Sequence, residues 1–238
     1  SAQGMNEQDG GFIETSAAVI NIADSADITT LSAQGKTGEW LIDPFNVIIS
    51  NGANAGSQNN SNTFNPSQND SIINVGTLQT ALDKNNVTVT TAGSGTQEGN
   101  ITVADAVTWS APTDLTLSAH NNIYINADIT STDTTETAGL NLEYGQANKA
   151  AGNKSDYYLA KGVKVNLQEG QNFSTKLGSD GGKIDYTVIT DLGKAGSTTG
   201  KDLQGINGGL TKKYVLGTDI DANTTSTWNA NAGFKPLG

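Results

Sequence analysis

The nine residues NITVADAVT that start at Asn100 return as NIYINADIT from Asn122. Ile101, Val103 and Val107 recur as Ile123, Ile125 and Ile129, each 22 positions on. Within each copy the apolar residues stand two or four apart, the period of a strand with one dry face and one wet face. A unit of this size made of short strands cannot bury its own apolar side. It needs a similar unit above and below, so the predicted fold is all-β: a right-handed parallel β-helix with short helical caps and loop excursions. The outward positions, Thr102, Thr116, Tyr124 and Asn126, are polar or amphipathic. Asn100 and Asn122 occupy matched corners, where asparagine tolerates a tight turn and can stack on its counterpart as a ladder.

Composition agrees with many short strands joined by turns. Gly, Asn, Thr and Ser dominate, and proline is scarce, at 4 residues in 238. The net charge of −11, with scattered lysines and no arginine, excludes a phosphate-binding surface, so no nucleic-acid partner is expected. No apolar run is long enough to span a bilayer, and no stretch reads as a signal peptide, so any export signals are expected to lie outside this sequence. The chain holds no cysteine.

Three stretches resemble the repeat region of filamentous-haemagglutinin-type exoproteins, the large bacterial adhesins exported by two-partner secretion. The first is Asn100-Ile101-Thr102-Val103 with Trp109-Ser110, Leu115 to Ala119 and Asn122 to Ala127. The second is Trp40-Leu41-Ile42-Asp43-Pro44 followed by Val47-Ile48-Ile49. The third runs from Tyr214-Val215-Leu216-Gly217 through Asp219-Ile220-Asp221 and Trp228 to Gly233-Phe234-Lys235-Pro236-Leu237-Gly238. The resemblance implies a secreted or outer-membrane-associated segment of a longer protein. Its partners would be a host-cell glycan or surface receptor and, for the whole protein, the outer-membrane transporter of the two-partner system. The alternative is a stalk that only supports a distal tip, of an adhesin or of a contact-dependent toxin.

Residues 1–238 are read as one elongated unit of roughly ten circuits at about 4.8 Å each. The polar stretches 51–70 and 144–158 are expected to leave the regular path as loops, where binding residues gather. The second holds Gly145, Lys149, Gly152 and Lys154 ahead of Tyr157-Tyr158. A short helix is expected over 77–84, capped by Thr77 and burying Leu78 and Leu82 on one side. Leu140 and Leu142 restart the pattern 25 positions after Leu115 and Leu117, and 184–238 is set apart as a possible distinct repeat region.

The residues carry little chemistry, and the chain is not read as an enzyme. His120 is the only histidine, and no G-x-S-x-G elbow is present. Asp219 and Asp221 flank Ile220, and on a strand they would share one face at about 6–7 Å. That spacing suits a polysaccharide-cleaving pair or calcium ligands, though the further acids or oxygens either would need are missing. No cofactor or metal is assigned. Glycan binding has better candidates: Tyr124, Tyr157, Tyr158 and Trp228 as stacking rings, with Asp219 and Asp221 as polar partners, although packing or single exposure is the commoner role of such a ring. The sequons at Asn59, Asn69, Asn86, Asn100, Asn153, Asn172 and Asn223 are no more than this composition gives by chance.

Overall fold

The computed structural model describes residues 2–4, 9–16, 22–23, 28–32, 35–43, 46–53, 63–64, 70–91, 97–135 and 137–238. The chain begins with β1 (Phe12–Ser16), β2 (Ile22–Ala23), β3 (Glu39–Asp43), β4 (Val47–Ser50), β5 (Thr63–Phe64) and β6 (Ser71–Asn74). A helix, α1 (Val75–Leu82), leads into β7 (Asn86–Thr90). Nine strands then follow in three passes: β8 (Ile101–Val103), β9 (Val107–Trp109) and β10 (Leu115–Ser118); β11 (Ile123–Ile125), β12 (Ile129–Ser131) and β13 (Leu140–Tyr144); β14 (Tyr157–Leu159), β15 (Val165–Asn166) and β16 (Gly170–Leu177). The last two are β17 (Ile184–Ile189) and β18 (Tyr214–Leu216).

Each pass visits three sheets in the same order and returns one strand further along each. The sheets have five strands (β14-β11-β8-β4-β6), three (β15-β12-β9) and eight (β1-β3-β7-β10-β13-β16-β17-β18). The repeat legible in the sequence is the register of this pairing. Ile123 lies beside Ile101, Ile125 beside Val103 and Ile129 beside Val107, all in parallel strands. The longer step of 25 is also a register: Leu140 pairs with Leu115 and Leu142 with Leu117. Parallel in-register pairing sets like on like, so the inward side chains form continuous aliphatic columns. Ile101, Val103, Val107, Leu115, Leu117, Ile123, Ile125 and Ile129 are all sealed from water. Burial of these columns is the main stabilising term, at about 1.5–3 kcal/mol per large aliphatic side chain.

Polar ladders hold the corners. The Oδ1 of Asn46 accepts from the Asn100 N–H at 2.7 Å, Asn100 Oδ1 from Asn122 N–H at 3.0 Å, and Asn122 Oδ1 from Asp156 N–H at 2.9 Å. Three corner amides that no strand partner reaches are thereby satisfied, one above the other. A second ladder runs from Asn86 Oδ1 to the Asp114 N–H, and from the Asp114 carboxylate to the Gly139 N–H.

Burial pushes the Asp114 carboxyl above its ordinary value, against the pull of the Gly139 N–H and the Lys183 charge. A carboxyl raised in the folded state destabilises once ionised, so its contribution worsens as pH rises from the unfolded value through the folded one. Asp114→Asn keeps the acceptor and removes the charge. It is expected to raise the melting temperature at pH 7, with the gain vanishing below about pH 4. Thermal denaturation of both proteins across that range checks the sign.

The helix departs from expectation by two residues. It starts at Val75 because Asn74 Oδ1 accepts from the N–H groups of Gly76 and Thr77, which makes Asn74 the cap in place of Thr77. Leu78 and Leu82 are buried as expected. α1 also shields the outermost strand of the three-stranded sheet: Gln79 Oε1 accepts from the Thr108 N–H at 3.0 Å, where a neighbouring strand would otherwise bond. At its other end Thr113 Oγ1 donates to the Leu82 carbonyl at 2.5 Å, and the buried Trp109 indole donates to the Thr113 carbonyl.

Elsewhere the chain leaves the regular parallel path. Residues 28–31 form no strand; Thr30 N–H and Oγ1 donate to Asn85 Oδ1, whose Nδ2 donates to the Ile28 and Ala81 carbonyls. β6 pairs on the far side of β4 from β8, so the strand order runs backwards once before α1. β16 and β17 are antiparallel, because the six residues between them suffice for a hairpin and not for the crossover that parallel strands need. In that hairpin Gly178 has a φ of +75°, and a Cβ there would lie 2.4 Å from the Ala150 nitrogen. Asp219 to Asp221 lie beyond the last residue of β18, in a connecting segment. Val19 to Asn21, the ring of Trp40, Pro44 and the stretches 54–62 and 65–69 fall outside what is described.

Candidate ligand-binding face

Alternation along the five-stranded sheet sends Ile123 and Ile125 inward and leaves Tyr124 half-exposed between them. One strand on, Tyr158 lies directly opposite Tyr124 in parallel register. The two rings stack with centroids 5.4 Å apart and planes 15° from parallel. Asn122 Nδ2 donates to the Tyr124 hydroxyl at 3.2 Å, which anchors the lower ring. β14 is the last strand of this sheet, so the far face of Tyr158 has no ring or strand above it among the described residues. Tyr158 is accordingly 46% exposed, high for a tyrosine held in a sheet.

The excursion between β13 and β14 occupies residues 145–156, and its ends are strands. Its first residues zip onto the corner below: Gly145, Gln146 and Ala147 N–H donate to the carbonyls of Asn121, Ala119 and His120. Asn153 then folds the loop on itself, donating from Nδ2 to the Gly145 carbonyl and accepting from the Ser155 N–H. Ser155 Oγ donates to Asn121 Oδ1 at 3.0 Å and closes the far side. Between loop and corner lies an open polar cleft of about 580 Å³, lined by Asn121, Asn122, Asn148, Lys149, Asn153, Lys154 and Ser155 among others. Asn122 borders both features, lining the cleft and bonding Tyr124. A flat aromatic face beside a cleft of amides, hydroxyls and ammoniums can stack on the C–H face of a sugar ring and hydrogen-bond its hydroxyls.

The remaining sequence candidates lie elsewhere. Tyr157 turns inward, packing against Tyr144 at 5.6 Å and edge-on to Phe173 at 6.5 Å. Burial raises its hydroxyl pKa, with Tyr186, Tyr144 and Asp156 adding to the shift. It is a packing ring, unlike its neighbour Tyr158. Trp228 stacks on Phe234 at 6.3 Å, following the 3-10 turn Asn223–Thr227. Asp219 pairs with Lys164 at 2.5 Å, and Asp221 Oδ1 accepts from the Asn223 N–H at 2.9 Å. The two carboxylates are thus engaged with different partners and share no strand face. His120 sits at a corner, its N–H donating to Thr91 Oγ1. Of the sequon asparagines described, Asn86, Asn100, Asn153 and Asn172 all have their side-chain amides hydrogen-bonded to other groups of the chain. Asn223 is exposed.

Among the described residues no three His, Asp or Glu side chains gather as metal ligands, and no helix is long and apolar enough to cross a membrane. A smaller apolar cavity of about 140 Å³ lies where the core ends, between Phe173, Leu167 and Leu216. Asn121, Asn148 and Ser155 were not singled out by sequence. For Asn148 and Ser155 the one signal is the glycine- and lysine-bearing interruption of the strand rhythm after Tyr144; Asn121, on a corner of the repeat, carries none.

No protein-family profile matches the chain, and no solved structure matches it. Halomucin of Haloquadratum walsbyi is 33% identical over 93 residues, which is 37% of this chain and 1% of that protein. The chain therefore spans about one hundredth of the length of the curated relative it matches.

Proposed function

We propose that this chain is a length of right-handed parallel β-helix from a large secreted or surface-held adhesin, and that its five-stranded face binds a glycan on a host cell. The three repeated passes through the same sheets support the helical winding, and the preference of parallel crossovers for one hand supports its sense. The likeness of its repeats to filamentous-haemagglutinin-type exoproteins supports export through an outer-membrane two-partner transporter. The stretch similar to halomucin, a mucin by name, supports an extracellular setting. The observation that carries the binding role is the Tyr124–Tyr158 stack beside the asparagine-lined cleft. Sugar sites pair such a platform with directional amides.

The stalk reading draws on the ladders, which make a regular rod without any ligand. A panel of immobilised oligosaccharides separates the two. The binding reading expects capture of one or more saccharides, weakened about tenfold by Tyr158→Ala, the loss of a single aromatic contact of about 1.4 kcal/mol. Absence of capture across the panel would favour the stalk. A polysaccharide-cleaving role finds no support in Asp219 and Asp221, whose carboxylates are engaged apart from each other.

A further inference from the structure

The lysines of the cleft give the proposed glycan a chemical class. Lys149 and Lys154 both line the cleft and both are exposed. Neither has a carboxylate within ion-pair distance among the described residues, whereas Lys164 and Lys183 pair with Asp219 and Asp185. The acids around the cleft keep their charge but bond to neutral donors and to neither lysine. Glu98 accepts from the amides of Asn100 and Asn121, Asp180 from the Ala150 N–H, and Asp156 from the Tyr157 N–H. Two lysines without a carboxylate partner among the described residues thus line one cleft, on a chain whose net charge is −11. A carboxylate that reaches both ammoniums gains charge-assisted hydrogen bonds that no acid among the described residues supplies to them.

Resting on the glycan-binding reading, we infer that the cleft selects a saccharide bearing a carboxylate. The sugar ring lies against Tyr158, Asn121 and Asn122 take its hydroxyls, and Lys149 and Lys154 take its carboxylate through charge-assisted hydrogen bonds. A hexuronate and a sialic acid share that chemistry, and separate probes tell them apart.

The test is calorimetric titration of the intact chain with oligogalacturonate, sialyllactose and neutral lactose at low and high salt. One acidic probe is expected to bind about tenfold tighter than lactose, and the one that does identifies the source of the carboxylate. That preference is expected to shrink in high salt and to fall to about twofold or less in the Lys149→Gln/Lys154→Gln double variant. Circular dichroism of the variant confirms that it folds. Lactose binding as tight as both acidic probes, or a preference untouched by the double variant, overturns the carboxylate assignment and leaves glycan binding standing. Failure of all three probes, together with an empty saccharide panel, overturns glycan binding itself.

Discussion

Ile101→Ala is expected to destabilise the protein by about 2–5 kcal/mol, while Thr102→Ala next to it changes stability by less than about 0.5 kcal/mol. Ile101 belongs to the middle strand of the five-stranded sheet, with Val47 beside it on one side and Ile123 on the other. All three are sealed from water. Truncation removes buried methyl groups and leaves a hole between two columns of side chains that cannot close in. The stacked backbones are held about 4.8 Å apart by their own hydrogen bonds and have little room to collapse. Thr102 points to the other face and is only partly covered. In a chain of this size the isoleucine change corresponds to a fall of roughly 4–20 °C in melting temperature, and the threonine change to about 2 °C or less. Denaturant titration of both variants checks the contrast. Equal effects at the two positions would mean that the alternation does not sort a dry side from a wet one, and the stacked arrangement would fail with it.

The same in-register stacking decides how much of the fold is legible in sequence. Where one pass sits on the next without insertion, like residues recur at a fixed distance, as with Ile101 and Ile123 or Leu115 and Leu140. Those pairs can be aligned by eye, and the pairing follows. Asn100 and Asn122 are legible as ladder partners for the same reason. Asn46 and Asp156 belong to the same ladder yet stand 54 positions before Asn100 and 34 after Asn122, because long excursions intervene. No fixed period finds them. The backward placement of β6 and the turn to antiparallel pairing at β17 depend on which edge is free when the strand arrives, a property of the assembled sheet. The binding face divides in the same way. Tyr124 and Tyr158 can be picked out as aromatic residues in strand-like surroundings, but their stacking needs the register across a 34-residue step. The cleft needs the fold of the 145–156 loop, set by the amide bridges from Asn121 and Asn153, and composition carries no trace of that.

Loss of the Asp133 carboxylate is expected to be a strongly damaging polar change. Asp133 is 2% exposed, between β12 and β13. Its Oδ1 accepts from the Thr135 N–H and hydroxyl at 2.9 Å, and its Oδ2 from the N–H groups of Thr137 and Ala138 at 2.9 and 3.1 Å. One side chain thus replaces the strand partners that this corner lacks. Burial alone would raise its pKa, but these donors outweigh it and hold the carboxyl below its ordinary value. Asp133→Ala strands the Ala138 N–H in the interior and frees the loop. The expected cost is about 3 kcal/mol, or roughly 6–12 °C. Asp133→Asn keeps one acceptor oxygen of the two and should fall between the variant and the parent. Because the folded pKa is depressed, the stabilisation is fully present above the unfolded value near 3.9 and is lost as pH falls through the folded one. The gap in stability between parent and Asp133→Asn should therefore be flat from about pH 8 to 5 and narrow steadily below it. Urea midpoints of the pair across that range measure the gap. A gap that widens in acid would mean that the carboxylate is a burden in the folded state, and that the corner is held together by the threonines without it.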